Sequence, residues 1–161
     1  MAKLWQKDSN QNENELAKKV EQFTVGNDRN LDLLLAKYDV LGSLAHTKML
    51  AEVGLLTQED LSPIQQELKN IFAEIKNGNF SINDESEDIH SEVEFRLTKK
   101  LGELGKKIHS GRSRNDQVLL DLKLFTRNEI EEIVNLAKNV FDTLIQLSNL
   151  HKDKLLPGYT H

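Results

Sequence analysis

The chain has 161 residues, a formal net charge of −5, 38 % hydrophobic and 29 % charged residues, and no cysteine. This length suits one domain, or a small domain with an appended element. The acidic balance argues against a general nucleic-acid binder, because counterion release requires a basic face, and the lack of cysteine excludes disulfides and thiol catalysis.

The chain shows neither a membrane segment nor a secretory signal. No apolar run approaches the roughly 20 residues of a membrane helix. The polar start, MAKLWQKDSNQNENE, has no apolar core or small-residue cleavage site. We therefore expect a cytoplasmic protein with no nucleic-acid and no membrane partner.

Helical periodicity with few breaks predicts an all-α fold. Only two prolines and eight glycines occur, and they separate long stretches in which apolar residues recur every three or four positions. A first helix is predicted through about Phe23, followed by the turn TVGND. The next predicted helix carries a leucine-rich stripe over residues 31–45 and ends at Gly54.

Two further helices are predicted from capping patterns. In LSPIQQELKNIFAEIKNGN, Ser62 is the expected N-cap, Pro63 the first helical residue and Gln65 the closing residue of a capping box. In NDESEDIHSEVEFRLTKKLG, Asp84 and Glu87 form a second expected box. The apolar face predicted for this second helix consists of Ile89, Val93, Leu97 and Leu101, with Gly102 after its end.

A long helix is predicted to follow, because residues 112–156 contain no glycine or proline and carry a broad apolar stripe. A helix of roughly 39 residues would be about 58 Å long, whereas a compact domain of this size has a radius of gyration of about 15 Å. We expect its apolar surface to be covered by further helices of a longer chain or by other subunits. The alternative is a break within 126–132 and a fold-back.

The stretch GKKIHSGRSRNDQ, residues 105–117, concentrates hydrogen-bond donors; we call residues 110–116 the donor loop. Ser113 and Asp116 fit a capping box that starts the long helix. Gly111 allows close backbone approach. The groups expected to bind a carboxylate or phosphate together with the first-turn amides are the side chains of Ser110, Arg112, Ser113, Arg114 and Asn115. A solvated basic loop between two helices fits the residue types equally well.

The donor-loop sequence resembles the segment that characterises the argininosuccinate lyase family, within the fumarase and aspartase superfamily. The C-terminal LLPGYTH resembles that family's next motif, and residues 39–57 (DVLGSLAHTKMLAEVGLLT) and 85–94 (ESEDIHSEVE) agree in order and spacing. The resemblance covers nearly the whole chain from Phe23. It covers only about the first third of the length of the family's sequences. The Gly-Ser-Ser-x-Met-Pro loop that the family carries later in the chain is absent from this sequence.

The resemblance implies an elimination that cleaves argininosuccinate to arginine and fumarate, in arginine biosynthesis and without a cofactor. By similarity, Ser113, Arg114 and Asn115 bind substrate carboxylates, and Thr160 adds a hydroxyl. His161 would be the active-site histidine, either as general acid or base or as a charge partner that orients the site. The base that takes the proton would be a serine of the absent loop.

Other residues receive supporting roles from the same resemblance. His90 is expected close to the active-site histidine, and His109 to position the donor loop. Ser110 stands where the family usually has threonine, and Asp28 aligns where a small serine contacts the substrate. His90 and Glu94 have metal-ligand spacing, but two residues do not make a site, and we expect no metal.

The expected organisation is a small N-terminal helical domain over residues 1–112, followed over 113–161 by the truncated first long helix of a central bundle. The resemblance implies a homotetramer for the full-length protein, and we expect the 161-residue chain alone to be inactive. The alternative is a non-catalytic helical module that binds an anionic ligand or partner helices.

Overall fold

The computed structural model describes residues 16, 19–20, 22–84 and 86–160, and this part of the chain contains helices and turns but no strand. The all-α prediction is confirmed. Residues 22–24 are helical, in agreement with the predicted first helix. The helices that follow are α1 (Asp28–Asp32), α2 (Ala36–Glu52), α3 (Gln58–Lys76), α4 (Ile89–Leu101), α5 (Glu103–Lys106), a 3₁₀ turn (Lys107–His109) and α6 (Arg114–His151).

The hydrophobic core lies between α2, α3 and α4. The face of α4 predicted from its sequence is confirmed, since Ile89, Val93 and Leu97 are buried and Leu101 packs against them. The buried apolar residues that the other elements contribute are Ala36, Val40, Leu50, Leu56, Ile64, Leu68, Ile71 and Ile108. Burial of apolar side chains at helical spacing is what holds these elements together.

The predicted start of α3 at Ser62 is wrong. The helix begins one turn earlier, at Gln58, and the hydroxyl of Thr57 accepts a hydrogen bond from the Asp60 amide at 3.1 Å. Glu59 and Asp60 lie in the first turn, where acidic residues favour a helix start. Pro63 is therefore inside the helix.

The capping box predicted at Asp84 and Glu87 is also wrong. Asp88 is the N-cap of α4, and its carboxylate accepts a hydrogen bond from the Ser91 amide at 2.7 Å. The preceding segment is hydrogen-bonded to Glu92, whose side chain is fully buried. The groups that donate to the Glu92 carboxylate are the Asn83 amide, Asn83 Nδ2, Ser86 Oγ and Arg96 Nε.

These hydrogen bonds decide the charge of Glu92. Burial raises the pKa of its carboxyl, but the donors from Arg96, Ser86 and Asn83 outweigh burial and leave the pKa lowered. Glu92 is therefore a buried carboxylate that ties the segment before α4 to the helix itself.

The long helix α6 runs without a break from Arg114 to His151, so the fold-back alternative is wrong. The chain divides into two compact units, one up to Lys123 and one from Leu124. Every described residue from 126 onward is exposed, and the large apolar side chains among them on α6 are Ile130, Ile133, Val134, Leu136, Val140, Phe141, Leu144, Ile145, Leu147 and Leu150. None of the helices in the described ranges is long and apolar enough to cross a membrane.

We predict that Gly105→Ala destabilises the first unit. A Cβ at Gly105 would lie 2.4 Å from the carbonyl carbon of Leu97 and 2.5 Å from the Thr98 nitrogen. These are backbone atoms of α4, so relief requires α5 to move away, at a cost of about 1–3 kcal/mol or more. Chemical unfolding of the chain measures this loss. Gly158→Ala is the control, because no atom lies within 4 Å of its added Cβ, and equal stability of the two variants would contradict the prediction.

Candidate functional site

The donor loop connects the 3₁₀ turn to the first turn of α6. Gly111 has a φ of 70°, a left-handed conformation that favours glycine. The predicted capping box is confirmed: the Ser113 amide donates to Asp116 Oδ2 at 2.7 Å, and the Asp116 amide donates to Ser113 Oγ at 3.4 Å. The box fixes where α6 begins and leaves the side chains of Ser113 and Asn115 exposed.

Arg114 links the donor loop to the first turn of α4. Its Nη2 donates to Ser91 Oγ at 3.1 Å, and its Nε lies 3.3 Å from Asp88 Oδ2. Asp88 is thus the counter-charge for an arginine at a helix N-terminus. To bind a substrate carboxylate, Arg114 has to share or exchange this partner.

Arg112 points inward and is half-buried. Its Nη2 donates to Ser43 Oγ on α2 at 3.0 Å, while its Nε is buried without a hydrogen-bond partner among the described residues. Burial lowers the pKa of the guanidinium, and the nearby carboxylates of Asp39 and Asp121 partly offset this effect.

A histidine to which sequence reasoning gave no role holds the donor loop from α2. His46 Nε2 donates to the carbonyl oxygen of Ser110 at 2.8 Å. Burial lowers the pKa of His46, which favours the neutral ring. Ser110 itself and His109, at the end of the 3₁₀ turn, are exposed.

Beneath the donor loop lies a cluster that we call the buried junction, made of Asp39 on α2, His90 on α4, and Gln117 and Asp121 on α6. His90 Nδ1 lies 2.7 Å from Asp39 Oδ1 and 3.8 Å from Asp121 Oδ2. Gln117 Nε2 donates to Asp39 Oδ1 at 3.3 Å. All four side chains are buried, so three helices meet at one polar contact.

The buried junction has more acceptors than donors. Asp39 Oδ2, Gln117 Oε1 and both carboxylate oxygens of Asp121 have no hydrogen-bond partner among the described residues. Burial, and then the charge of Asp39, raise the pKa of Asp121 to about 7. For His90, burial lowers the pKa, but the hydrogen bond and charge of Asp39 outweigh it and the pKa is raised.

The same groups have the composition of a metal site. One ligand atom from each of Asp39, His90 and Asp121 lies within 4.8 Å of the others. However, the 2.7 Å contact between His90 Nδ1 and Asp39 Oδ1 is a hydrogen bond, so Nδ1 carries a proton and has no lone pair to give a metal. As they stand, the three groups form a buried hydrogen-bonded ion cluster, and a metal bound through Nδ1 would have to displace its proton.

Two further predicted site residues lie at the surface. Asp28 is exposed in α1, and its neighbour Arg29 donates to the carbonyls of Asp84 and Ser86, each at 2.8 Å. Thr160 is exposed in the second unit. His161, the predicted active-site histidine, lies outside the described residues.

Sequence reasoning missed Asp39, Gln117 and Asp121. A signal was present for two of them, because Asp39 stands between Tyr38 and Val40 and Asp121 stands between two leucines. A carboxylate within an apolar stretch indicates either exposure or a specific buried partner.

Comparison with known proteins identifies the relatives of this chain. A family profile described as Lyase matches residues 8–161. The chain is 58 % identical over 159 residues to a protein of Parabacteroides distasonis, 55 % over 159 residues to one of Bacteroides fragilis, and 39 % over 161 residues to one of Pelotomaculum thermopropionicum. Each is named argininosuccinate lyase. The alignments cover 99 % or 100 % of this chain and 34 % of each relative, so the chain spans about a third of their length.

We predict that Asp121→Asn changes how stability depends on pH. The raised pKa of Asp121 means that the folded state holds a proton which the unfolded state releases at lower pH. Its contribution to stability is full below the unfolded value of 3.8 and is lost as pH rises through about 7. Asparagine does not titrate, so the variant should gain stability relative to the parent between about pH 4 and about pH 7, by at most ~1.4 kcal/mol per pH unit.

Unfolding curves across this pH range measure the difference. The exposed Asp153→Asn is the control for loss of a negative charge. A stability difference between Asp121→Asn and the parent that stays constant with pH would show that Asp121 does not hold the extra proton.

Proposed function

This chain belongs to the lyase family, and from that premise we propose that the complete protein is an argininosuccinate lyase. The observation that carries the proposal is the 58 % identity over 159 residues to a relative of that name. The exposed donors at the start of α6 support it independently, because they form a surface suited to a carboxylate.

The reaction determines which residue types the site needs. A base removes a proton from the carbon beside a substrate carboxylate, the electron pair forms the double bond of fumarate, and the carbon–nitrogen bond breaks. The guanidino group leaves as part of arginine. The intermediate carboxylate carries two negative charges, so preorganised donors lower the barrier.

The donor loop supplies such donors in this proposal. Ser113 and Asn115 present exposed side chains next to the first-turn amides. Arg114 pairs with the carboxylate in place of Asp88, and the partly exposed ion pair makes this exchange inexpensive. An arginine fork and helix-terminal amides together favour a planar carboxylate.

The residues that support the loop without contacting the substrate are Ser110, Arg112, His46, His90 and His109. Arg112 anchors it to α2 through Ser43, and the backbone carbonyl of Ser110 is held by His46. His109 precedes the loop and His90 lies in the buried junction below it.

The other substrate contacts come from outside this loop. We assign Asp28 to the amino-acid end of the substrate and the Thr160 hydroxyl to a carboxylate. His161 acts as the general acid or base or as a charge partner. The proton-abstracting base is a serine of a later segment that this chain does not contain, and the mechanism requires no cofactor.

The proposed organisation follows the family. Residues 1–112 form an N-terminal helical domain, and 113–161 begin the first long helix of a central bundle in a homotetramer of the cytoplasm that serves arginine biosynthesis. The exposed apolar residues of α6 support this assembly, because a large contiguous apolar surface usually marks an interaction site. The 161-residue chain alone should show no turnover.

We predict that the complete protein releases fumarate from argininosuccinate and that Asn115→Ala lowers kcat by about 100-fold or more, the usual cost of removing one donor to a developing oxyanion. Fumarate absorbance measures the rate. Asn79→Ala, at an exposed residue after α3, is the matched control and should keep full activity.

Two outcomes would contradict this account. Normal turnover by Asn115→Ala would remove the donor loop from the site. No fumarate from the parent protein would reject the lyase and favour a helical module that binds an anionic ligand.

A further inference from the structure

Packing alone does not explain why Asp121 is buried, because burying its carboxyl group costs free energy of desolvation. Its side chain is 1 % exposed, and neither carboxylate oxygen has a hydrogen-bond donor among the described residues. An asparagine or leucine of similar size would fill the same space with less desolvation. A buried polar group left without partners in this way calls for another explanation.

The neighbour that benefits from this carboxylate is His90. Its Nδ1 lies between two acids, 2.7 Å from Asp39 and 3.8 Å from Asp121. A negative charge at such a distance in a buried site favours the protonated ring. Because Nδ1 is engaged by Asp39, the ring has one fixed orientation and Nε2 is its remaining polar atom.

His90 is coupled to the donor loop from two directions. Within the first turn of α4 it lies between Asp88 and Ser91, the two residues that contact Arg114. Across the buried junction, Gln117 and Asp121 lie about one and two turns after Ser113 along α6. A positive charge on His90 is therefore held on the same turn that holds Arg114.

We propose that Asp121 is a positioning residue for the elimination: it keeps His90 protonated and fixed on Asp39, so that the imidazolium adds a permanent positive charge beneath the carboxylate-binding donor loop. This proposal rests on the proposed lyase function. It assigns a role in the reaction to a residue that does not contact the substrate.

The charges around the two groups agree with this assignment. The groups facing His90 are Asp32 on α1, Asp39 on α2, Asp88 at the N-cap of α4, and Arg114 and Asp121 on α6. Those facing Asp121 are Asp39, His90, Arg112 and Asp32. As pH rises, ionisation of Asp121 places a second negative charge beside His90 and opposes loss of its proton.

The test is the pH profile of kcat/KM for the complete protein and its Asp121→Asn variant. Near pH 6 the two should agree within about threefold, because Asp121 is protonated and neutral in the parent and the asparagine of the variant is neutral as well. Above about pH 7 the variant should lose activity first, and its alkaline limb should move to lower pH by about one unit. Glu59→Gln, at an exposed acid in the first turn of α3, is the control and should keep the parent profile.

A purely structural role predicts a different result. Asp121→Asn should gain stability relative to the parent as pH rises to about 7 and keep that gain at higher pH. A loss of activity caused by unfolding would therefore be smallest in the range where the proposal predicts the largest loss. Superimposed pH profiles, or a uniform loss of activity at every pH, would overturn the proposal. Absence of fumarate release by the parent protein would instead reject the lyase function.

A second measurement does not use the Asp121→Asn variant. In the complete protein labelled with ¹³C-histidine, the His90 resonance, identified by its loss in His90→Gln, should titrate above the usual histidine value of about 6.5. Titration at or below that value would overturn the proposal.

Discussion

The buried contact of His90 with Asp39 and Asp121 is the constraint on which the rest of this structure depends. It joins α2, α4 and α6 at one point. Charged groups in a protein interior are tolerated only when they are paired, and removing one partner of a buried ion pair lowers the free energy of unfolding by several kcal/mol. The first turns of α6 are therefore held in one position against α4, and the donor loop is fixed with them.

Glu92 provides the second fixed point, on the other side of the same helix. Its carboxylate organises the segment before α4 through Asn83, Ser86 and Arg96. That segment ends at Asp88, which caps α4 and pairs with Arg114. Glu92 holds the segment that leads into α4, and the buried junction holds the first turns of α6 against α4. The ion pair between the starts of these two helices is where a carboxylate would bind in the proposed function.

Local patterns in the sequence predicted what local interactions determine. The apolar face of α4 follows from the spacing of Ile89, Val93 and Leu97, and the Ser113–Asp116 box needs only residues three apart. The predicted start of α3 was wrong because several nearby residues, Thr57 and Ser62 among them, are able to cap a helix. Sequence alone does not rank such competing caps.

The buried junction was beyond the reach of local patterns. His90 and Asp39 are 51 residues apart, and their pairing depends on how α2 and α4 pack. For the same reason the ion pair of Arg114 with Asp88 was missed, although the donor loop itself was recognised. The sequence showed which side chains offer donors, whereas the packing shows which partners already hold them.

The most direct test of this account is a crystal structure of the complete protein with argininosuccinate, trapped in a His161→Ala variant. The account predicts a substrate carboxylate within hydrogen-bond distance of Ser113 and Asn115, with the guanidinium of Arg114 turned from Asp88 toward it. Substrate bound elsewhere, with Arg114 still paired to Asp88, would contradict it.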